Sequence, residues 1–136
     1  MYELFEHTAD LGLRVRAPDL NTLFREAAVG LCSMMVENIA DVRPNQRVDI
    51  AVTGEDREFL LFDWLRELLL QADERHMVFS RFDVTITDIG LTGTAWGEQL
   101  DPERHPLGRE VKAITYHELK VEPTPAGWLA EIIVDI

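Results

Sequence analysis

Acidic residues at the two ends of the chain form the pattern with the clearest chemical meaning. The last apolar run, residues 128–134, is followed by Asp135 and Ile136, so it brings a side-chain carboxylate and a main-chain carboxylate to one point. Near the other end, Asp10 is predicted to lie in a tight loop between two short strands. Carboxylates close to one another repel unless a cation lies between them. We therefore expect a metal site if the fold brings these ends together.

Each candidate residue also has a purely structural explanation. Asp10 can cap its own turn, and Asp135 can simply be an exposed residue near a strand end. His7 ends an apolar strand pattern, where a histidine commonly makes structural hydrogen bonds. Lys112 falls within a predicted strand, where a lysine usually faces solvent. Only convergence of Asp10 with the C-terminal residues would favour the functional interpretation.

Common catalytic motifs do not occur in the sequence. There is no GxGxxG, no GxxxxGK[ST], no HExxH and no CxxC. Neither Ser33 nor Ser80 lies in a nucleophile-elbow context, and residues 90–93 are better explained as a turn entering a strand than as a phosphate loop. The motifs of ordinary enzyme chemistry are therefore nearly absent from the sequence.

Length and composition indicate one soluble domain. The chain has 136 residues, of which 46% are hydrophobic, enough for a sizeable core in a single domain spanning 1–136. It has no apolar run long enough to cross a bilayer and no basic leader typical of a signal peptide. Cys32 is the single cysteine and cannot form an internal disulfide. We expect a cytoplasmic protein that makes no contact with a membrane.

The net charge argues against a protein whose main task is to grip nucleic acid. Thirteen basic residues against 25 acidic ones give a formal charge of −12. A surface that binds phosphate backbones usually has the opposite sign. An acidic surface favours solubility, cation binding or docking onto a basic partner. We therefore expect no strong direct binding to nucleic acid.

Two helices and several strands are predicted to position these residues. The first helix follows the N-cap residue Asp19 and has one apolar stripe. The second, from about 53–56 to Glu74, is apolar on nearly all sides, so we expect it at the centre of the core, covered on more than one side. Residues 101–108 are expected to form an exposed loop. Strands are predicted at 2–7, 11–16, 47–52, 81–88, 91–97, 109–121 and 128–136. This order indicates an α+β fold with a largely antiparallel sheet.

Several segments together resemble the archease family over the whole chain. They are the sequences HTADLG at 7–12, LFREAA at 23–28, WLRELL at 64–69 and KAITYH at 112–117, with the terminal Asp135-Ile136. Arg66 and Leu70 depart from the family pattern, which has Asn and Tyr there. Because of these two differences, the resemblance makes no prediction for the surface of the second helix.

The resemblance implies that the chain assists another protein and is not an enzyme by itself. Archeases assist the RtcB-type RNA ligase, which joins RNA ends bearing a 2′,3′-cyclic phosphate or 3′-phosphate to a 5′-hydroxyl during tRNA splicing or RNA repair. That ligase uses GTP and a divalent metal and passes through a guanylylated histidine. Archease promotes the guanylylation and so permits multiple turnover. The family is also described as a chaperone-like modulator of protein solubility.

The resemblance also assigns residues. A metal site of the family falls on Asp10, Asp135 and Ile136, with Ca²⁺ as the associated ion, while Mg²⁺ and Mn²⁺ also suit oxygen donors. Lys112 resembles a functional lysine that would contact phosphate. His7 and His117 are weaker candidates for positioning. On this hypothesis the end of the protein that carries Asp10 and Asp135 enters the nucleotide cleft of the ligase and contacts GTP or metal there.

Two alternatives remain open at this point. A general chaperone would act on unrelated clients through a sizeable exposed apolar patch. An independent metal-dependent hydrolase would need an open metal position with a base or nucleophile, for which His7 is the available candidate. Substitution of Asp10 separates the first alternative from ligase activation, because a chaperone should not depend on that carboxylate.

Overall fold

Strands dominate the computed structural model, which describes residues 1–7 and 9–136. The α-helices are α1 (Leu20–Met35) and α2 (Arg57–Arg75), and a short 3-10 helix spans Ile39–Asp41. The strands are β1 (Tyr2–His7), β2 (Asp10–Ala17), β3 (Gln46–Thr53), β4 (Met77–Thr87), β5 (Gly90–Gln99), β6 (Ala113–Ile114), β7 (Lys120–Thr124) and β8 (Gly127–Asp135). The named strand pairs are antiparallel, which confirms the predicted α+β class.

The larger sheet joins the beginning of the chain to its end. Its order is β1-β2-β8, and both β6 and β7 pair with the other side of β8. The β2–β8 register runs from Leu11 opposite Val134 to Ala17 opposite Trp128. β8 is paired on both sides, and its consecutive residues Ile132, Ile133 and Val134 are all buried, as in the interior of a sheet covered on both faces. The condition on which the predicted metal site depends, that the chain ends meet, is therefore satisfied by the backbone.

The smaller sheet has the order β3-β5-β4. On β4, Phe82 and Val84 are buried while Asp83 and Thr85 are exposed, as the alternating pattern predicts. The strand nevertheless begins at Met77, four residues before the predicted start, and a β-bulge lies after Phe79. The bulge interrupts the alternation, so a search for strict period two detects only the second half of the strand.

Helix α1 follows its predicted cap. The Asp19 carboxylate accepts a hydrogen bond from the Thr22 amide at 2.8 Å, which satisfies one of the free amides of the first turn. The apolar stripe then packs on β2 and β4. Its fully buried members are Leu23, Phe24, Ala27, Ala28 and Leu31.

Helix α2 lies between the two sheets, as its apolar circumference predicts. It contacts β3, β4 and β5 on one side and β6 and β7 on another, and it also touches α1. Asp56 caps its first turn through the Phe59 amide at 3.1 Å. It ends at His76, which has φ 52 in the left-handed region.

Neither helix in the described part of the chain combines the length and the apolar character that a membrane span requires.

The prediction of one long strand at 109–121 is wrong. Only Ala113–Ile114 and Lys120–Thr124 are strands, and a turn separates them. The amide of Leu119 donates to the Tyr116 carbonyl at 3.2 Å, and Glu118 has φ 55 in the left-handed region. Glutamate is not a typical turn residue, so the sequence carries no sign of this break.

The prediction that 101–108 is an exposed loop fails at one residue. His105 is fully buried within this loop. Its Nδ1 accepts from the Asp101 amide at 2.9 Å, and its Nε2 lies 3.0 Å from a carboxylate oxygen of Glu98. The histidine therefore anchors the loop to the end of β5.

Candidate functional site

Asp10 is the first residue of β2, opposite His7 in the β1–β2 ladder. The prediction that Asp10 lies in a loop is therefore wrong, because Asp10 starts a strand. Thr8 of the HTADLG motif lies outside the described residues. A residue at the start of a paired strand has a backbone position set by its neighbours. Asp10, which is half-buried, is positioned in this way.

The β2–β8 ladder brings the acidic ends of the chain to one place. The ladder ends with Leu11 opposite Val134; Asp10 precedes the first of these residues, and Asp135 follows the second. The two aspartates thus lie at adjoining strand ends. The Ile136 side chain packs against the hydrophobic core, which holds the main chain of the last residue against the protein. The metal at these residues stays a prediction.

Lys112 lies at the same end of the sheet. Its amide donates to the Asp135 carbonyl at 2.8 Å, and the next residue, Ala113, pairs with Asp135 in the β6–β8 ladder. Lys112 precedes the strand rather than lying in it, and its side chain is exposed. A cationic side chain therefore accompanies the acidic strand ends, where it is free to contact an anionic partner group.

Two histidines and one glutamate converge beside this strand end. The Nε2 atom of His7 lies 3.2 Å from Oε2 of Glu118, and the Nε2 atom of His117 lies 3.7 Å from Oε1 of the same residue. The two imidazole rings meet edge to face, with centroids 5.3 Å apart. One ligand atom from each of the three residues lies within 4.8 Å of the others.

The turn after β6 positions this group. The Thr115 amide and hydroxyl both contact the Ile133 carbonyl of β8, at 3.1 and 2.8 Å. The Thr115 hydroxyl also accepts from the His117 amide at 3.2 Å. These contacts hold the turn on β8, so His117 and Glu118 face the end of β1. Sequence reasoning missed Glu118, although its position directly after His117 was a usable signal.

An exposed aromatic cluster borders the same turn. Tyr116 stacks on Phe62 with ring centroids 3.9 Å apart and an interplanar angle of 13°, and Phe59 meets Tyr116 edge-on at 5.5 Å. Tyr116 is 57% exposed and Phe59 is 53% exposed. Rings fixed by stacking but open to solvent are typical of contact surfaces. The sequence analysis missed this cluster because its members come from α2 and from a turn predicted as strand.

The arrangement offers two kinds of metal ligand at one end of the molecule. Asp10, Asp135 and the main chain of Ile136 supply oxygen donors, which suit hard ions such as Ca²⁺ and Mg²⁺. The turn supplies imidazole nitrogens together with one carboxylate, a set suited to borderline ions. Lys112 adds a positive charge for phosphate.

Comparison with known proteins accounts for the whole chain. The archease protein family (MTH1598/TM1083) matches residues 2–136. Protein archease from Sulfurisphaera tokodaii is 40% identical over 137 residues, covering 99% of this chain and 98% of the relative. Protein archease from Pyrococcus furiosus is 41% identical over 140 residues, with the same coverage of 99% and 98%.

Solved structures agree with this match. The solution structure of Methanobacterium thermoautotrophicum protein 1598 has a TM-score of 0.88 and 35% identity, covering 99% of this chain and 98% of that one. A Thermotoga maritima crystal structure, described as an archease and possible chaperone, has a TM-score of 0.68 and covers 100% and 98%. At 20% identity, the second shows the shared fold alone.

Family membership bears on the predicted class of function. Archeases are protein cofactors rather than enzymes, which agrees with the prediction that this chain is not an enzyme. The resemblance inferred from the HTADLG and KAITYH segments is confirmed over nearly the full length. The chain belongs to the archease family.

Proposed function

We propose that the protein activates an RtcB-type RNA ligase in the cytoplasm, promoting guanylylation of the ligase and multiple turnover in tRNA splicing or RNA repair. The observation that carries this proposal is the β2–β8 ladder, which brings Asp10 and Asp135 to adjoining strand ends next to Lys112. These are the residues that the family resemblance assigns to activation. Their assembly at one end makes a single contact surface, which we call the acidic tip.

Calcium is the ion we propose for the acidic tip. Asp10, Asp135 and the main-chain carboxylate of Ile136 would hold it, because oxygen donors from carboxylates match the preference of Ca²⁺. Asp10 is half-buried and Asp135 is exposed, so an ion held between them would remain reachable by a partner. When bound, the ion supplies positive charge that neutralises the carboxylates and orients oxygen atoms near it.

The acidic tip would act by organising charge in the active site of the ligase. Guanylylation transfers a nucleotide onto a histidine, so phosphate oxygens and metal must be aligned with that nucleophile. Lys112 would contact phosphate, and Asp10 would contact the ligase metal or order it. The formal charge of −12 favours approach to a basic nucleotide cleft.

The aromatic cluster of Phe59, Phe62 and Tyr116 provides a second element of the contact surface. Tyrosine and phenylalanine side chains at a protein surface contribute apolar area at low entropic cost. Tyr116 belongs to the KAITYH segment, so a partner that contacts Lys112 would also approach Tyr116. We propose that these rings border the ligase when the tip is inserted.

A turnover assay tests the proposal. Limiting RtcB-type ligase is mixed with excess cleaved RNA, GTP and Mn²⁺, and joined RNA is followed with and without this protein. We expect Asp10→Asn to reduce product to roughly one turnover per ligase, because the variant loses the carboxylate that organises charge. Asp83→Asn, which removes an exposed carboxylate on β4, serves as the matched control and should stimulate fully. Equal stimulation by the two variants would contradict the proposal.

The lysine is tested in the same assay. Lys112→Ala should lower stimulation by about 10-fold or more, since a charge-assisted contact to phosphate is lost. Lys120→Ala is its control, because Lys120 lies on β7 and pairs with Glu122 at 3.9 Å. Guanylylated ligase, measured with labelled GTP, should fall in parallel with RNA joining.

A general chaperone is the second candidate, favoured by one observation. A cleft of about 300 Å³ is lined mainly by apolar residues, among them Met35, Leu69, Met77 and Leu107. Leu107 is 58% exposed at its rim. Suppression of aggregation of unrelated clients, unchanged by Asp10→Asn but reduced by Leu107→Asp, would favour this function over ligase activation.

A further inference from the structure

We propose that His7, His117 and Glu118 bind a borderline divalent transition metal ion, of which Zn²⁺ is the type, at a site separate from the acidic tip. We call these three residues the imidazole site. The inference goes beyond ligase activation and does not depend on it, because it concerns a different set of ligand atoms and is tested without a ligase.

The distances suit such an ion. Zinc binds imidazole nitrogen and carboxylate oxygen at about 2.0–2.2 Å, so neighbouring ligand atoms around a tetrahedral ion lie roughly 3.4 Å apart. The Nε2 atoms of His7 and His117 lie 3.2 and 3.7 Å from the oxygens of Glu118. One ligand atom from each of the three residues lies within 4.8 Å of the other two. Small side-chain adjustments therefore suffice to enclose an ion.

The hydrogen bonding of His7 leaves a lone pair unused. Its Nδ1 atom is buried and has no hydrogen-bond partner among the described residues. A neutral imidazole has one N–H and one lone pair. If Nε2 carries the proton, the lone pair is on the unpartnered Nδ1; if Nδ1 carries it, the Nε2 lone pair faces the Glu118 carboxylate. In the second case a cation between Nε2 and the carboxylate relieves the repulsion of the two acceptors.

The backbone of Glu118 adds an independent observation. Its φ of 55 lies in the left-handed region, which disfavours a residue with a side chain by about 1 kcal/mol relative to glycine. This conformation places the Glu118 carboxylate against both histidine rings. Strained backbone at a position that assembles polar side chains is typical of functional sites.

The donor set selects the class of ion. Imidazole favours Zn²⁺ and its neighbours, whereas Ca²⁺ and Mg²⁺ prefer all-oxygen sites. Cys32 is buried, so thiolate cannot supply a competing zinc site at the surface. His117 and Glu118 are 62% and 59% exposed, so an ion can enter and keep an open coordination position for a partner group.

Zinc titration of the full chain tests the inference. Protein freed of any polyhistidine tag and treated with chelator is titrated with Zn²⁺ against a chromophoric indicator. We expect one Zn²⁺ per chain, with binding weakened by roughly tenfold or more in His117→Asn and in His7→Asn. His76→Asn is the matched control, since His76 is exposed at the end of α2 and lies outside the imidazole site. It should bind as the unaltered protein does.

A second variant separates metal binding from folding. Glu118→Gly removes the carboxylate but relieves the left-handed backbone, so its urea midpoint should be at least that of the unaltered protein. Zinc binding should nevertheless weaken by tenfold or more. Glu118→Gly with unchanged zinc affinity would overturn the inference.

Proton NMR of the imidazole rings identifies the ligands directly. The chain has four histidines, so their ring signals can be assigned individually. Added Zn²⁺ should shift the signals of His7 and His117 and leave those of His76 and His105 in place. Shifts confined to His76, no saturable binding, or loss of binding in Asp10→Asn with retention in His117→Asn would each refute the imidazole site. Zinc binding by Asp10→Asn is measured without a ligase, so this result is independent of the test of ligase activation.

Discussion

At the scale of single residues, Glu98 shows how a buried charge is held in this fold. Its carboxylate accepts from the Arg43 amide at 2.7 Å and from the Arg104 guanidinium at 2.7 Å, and it contacts His105 at 3.0 Å. Above all the hydrogen bond from Arg104 lowers the pKa of Glu98 to about 2, with the Arg43 amide as the next cause. Charge-assisted bonds to a buried carboxylate favour its ionised form.

This pKa predicts a dependence of stability on pH. Because the folded pKa is about 2 and the ordinary value is 4.5, Glu98 stabilises the folded state fully above pH 4.5 and loses this contribution as pH falls toward 2. Glu98→Gln should therefore cost about 2 kcal/mol at pH 7 and progressively less below pH 4.5. Urea unfolding at pH 7, 5, 4 and 3 measures the difference.

Exposed Glu110 provides the control for this pH series. Glu110→Gln should leave the free energy of unfolding within about 0.5 kcal/mol of the unaltered protein at each pH. A deficit in Glu98→Gln that stayed constant down to pH 3 would show that the carboxylate charge is not responsible.

At the scale of elements, Trp64 joins the two helices to the smaller sheet. Its indole N–H donates to the Phe24 carbonyl of α1 at 3.0 Å, and the side chain is fully buried. On β5 the ring packs over Gly93, where an added Cβ would clash with the ring carbons of Trp64. The central position of α2 thus depends on one large side chain opposite a residue without one.

We expect Trp64→Phe to destabilise the protein by about 2–4 kcal/mol, because it removes the buried hydrogen bond and leaves a void between α2 and β5. The control is Trp96→Phe. Trp96 is half-buried on β5, with the Arg81 guanidinium 4.7 Å from its ring centroid, so the loss should be within about 1 kcal/mol. Urea unfolding midpoints compare the two variants. Similar losses of stability would mean that Trp64 contributes no more to the fold than the half-buried Trp96.

Prediction of elements succeeded where local chemistry and final structure agree. Asp19 caps α1 as predicted from its position before an apolar stripe, since a cap is a contact within one turn. The prediction of one strand at 109–121 failed because Glu118 adopts a left-handed conformation, which is not expected for a glutamate. Burial of His105 was missed for a similar reason, since its partner Glu98 belongs to another element.

At the scale of the whole molecule, pairing of β2 with β8 makes the last residue part of the proposed function. Ile136 packs on the core directly after β8, while Asp135 beside it is exposed. A segment added after Ile136 would extend away from the sheet and need not disturb the fold. It would, however, convert the proposed carboxylate ligand into a peptide group.

We expect a short Gly-Ser extension after Ile136 to leave the unfolding midpoint nearly unchanged but to abolish most stimulation of the ligase. The same extension placed before Met1 is the control, because the Met1 side chain is 86% exposed. Circular dichroism melts and the turnover assay give the two readings. Full stimulation by the protein with the C-terminal extension would remove Ile136 from the proposed ligands.

The sequence by itself determined the α+β class, the two helices with the cap of the first, and the family resemblance, because a cap, apolar periodicity and the HTADLG and KAITYH segments are local. It also identified Asp10, Asp135 and Lys112 as candidates. Only the tertiary structure decided that Asp10 and Asp135 lie at adjoining strand ends and that Glu118 meets His7. These partners are separated by most of the chain, so their contact depends on β8 pairing with β2 on one side and β6 on the other. Such pairing is set by packing of the whole core, which no local pattern contains.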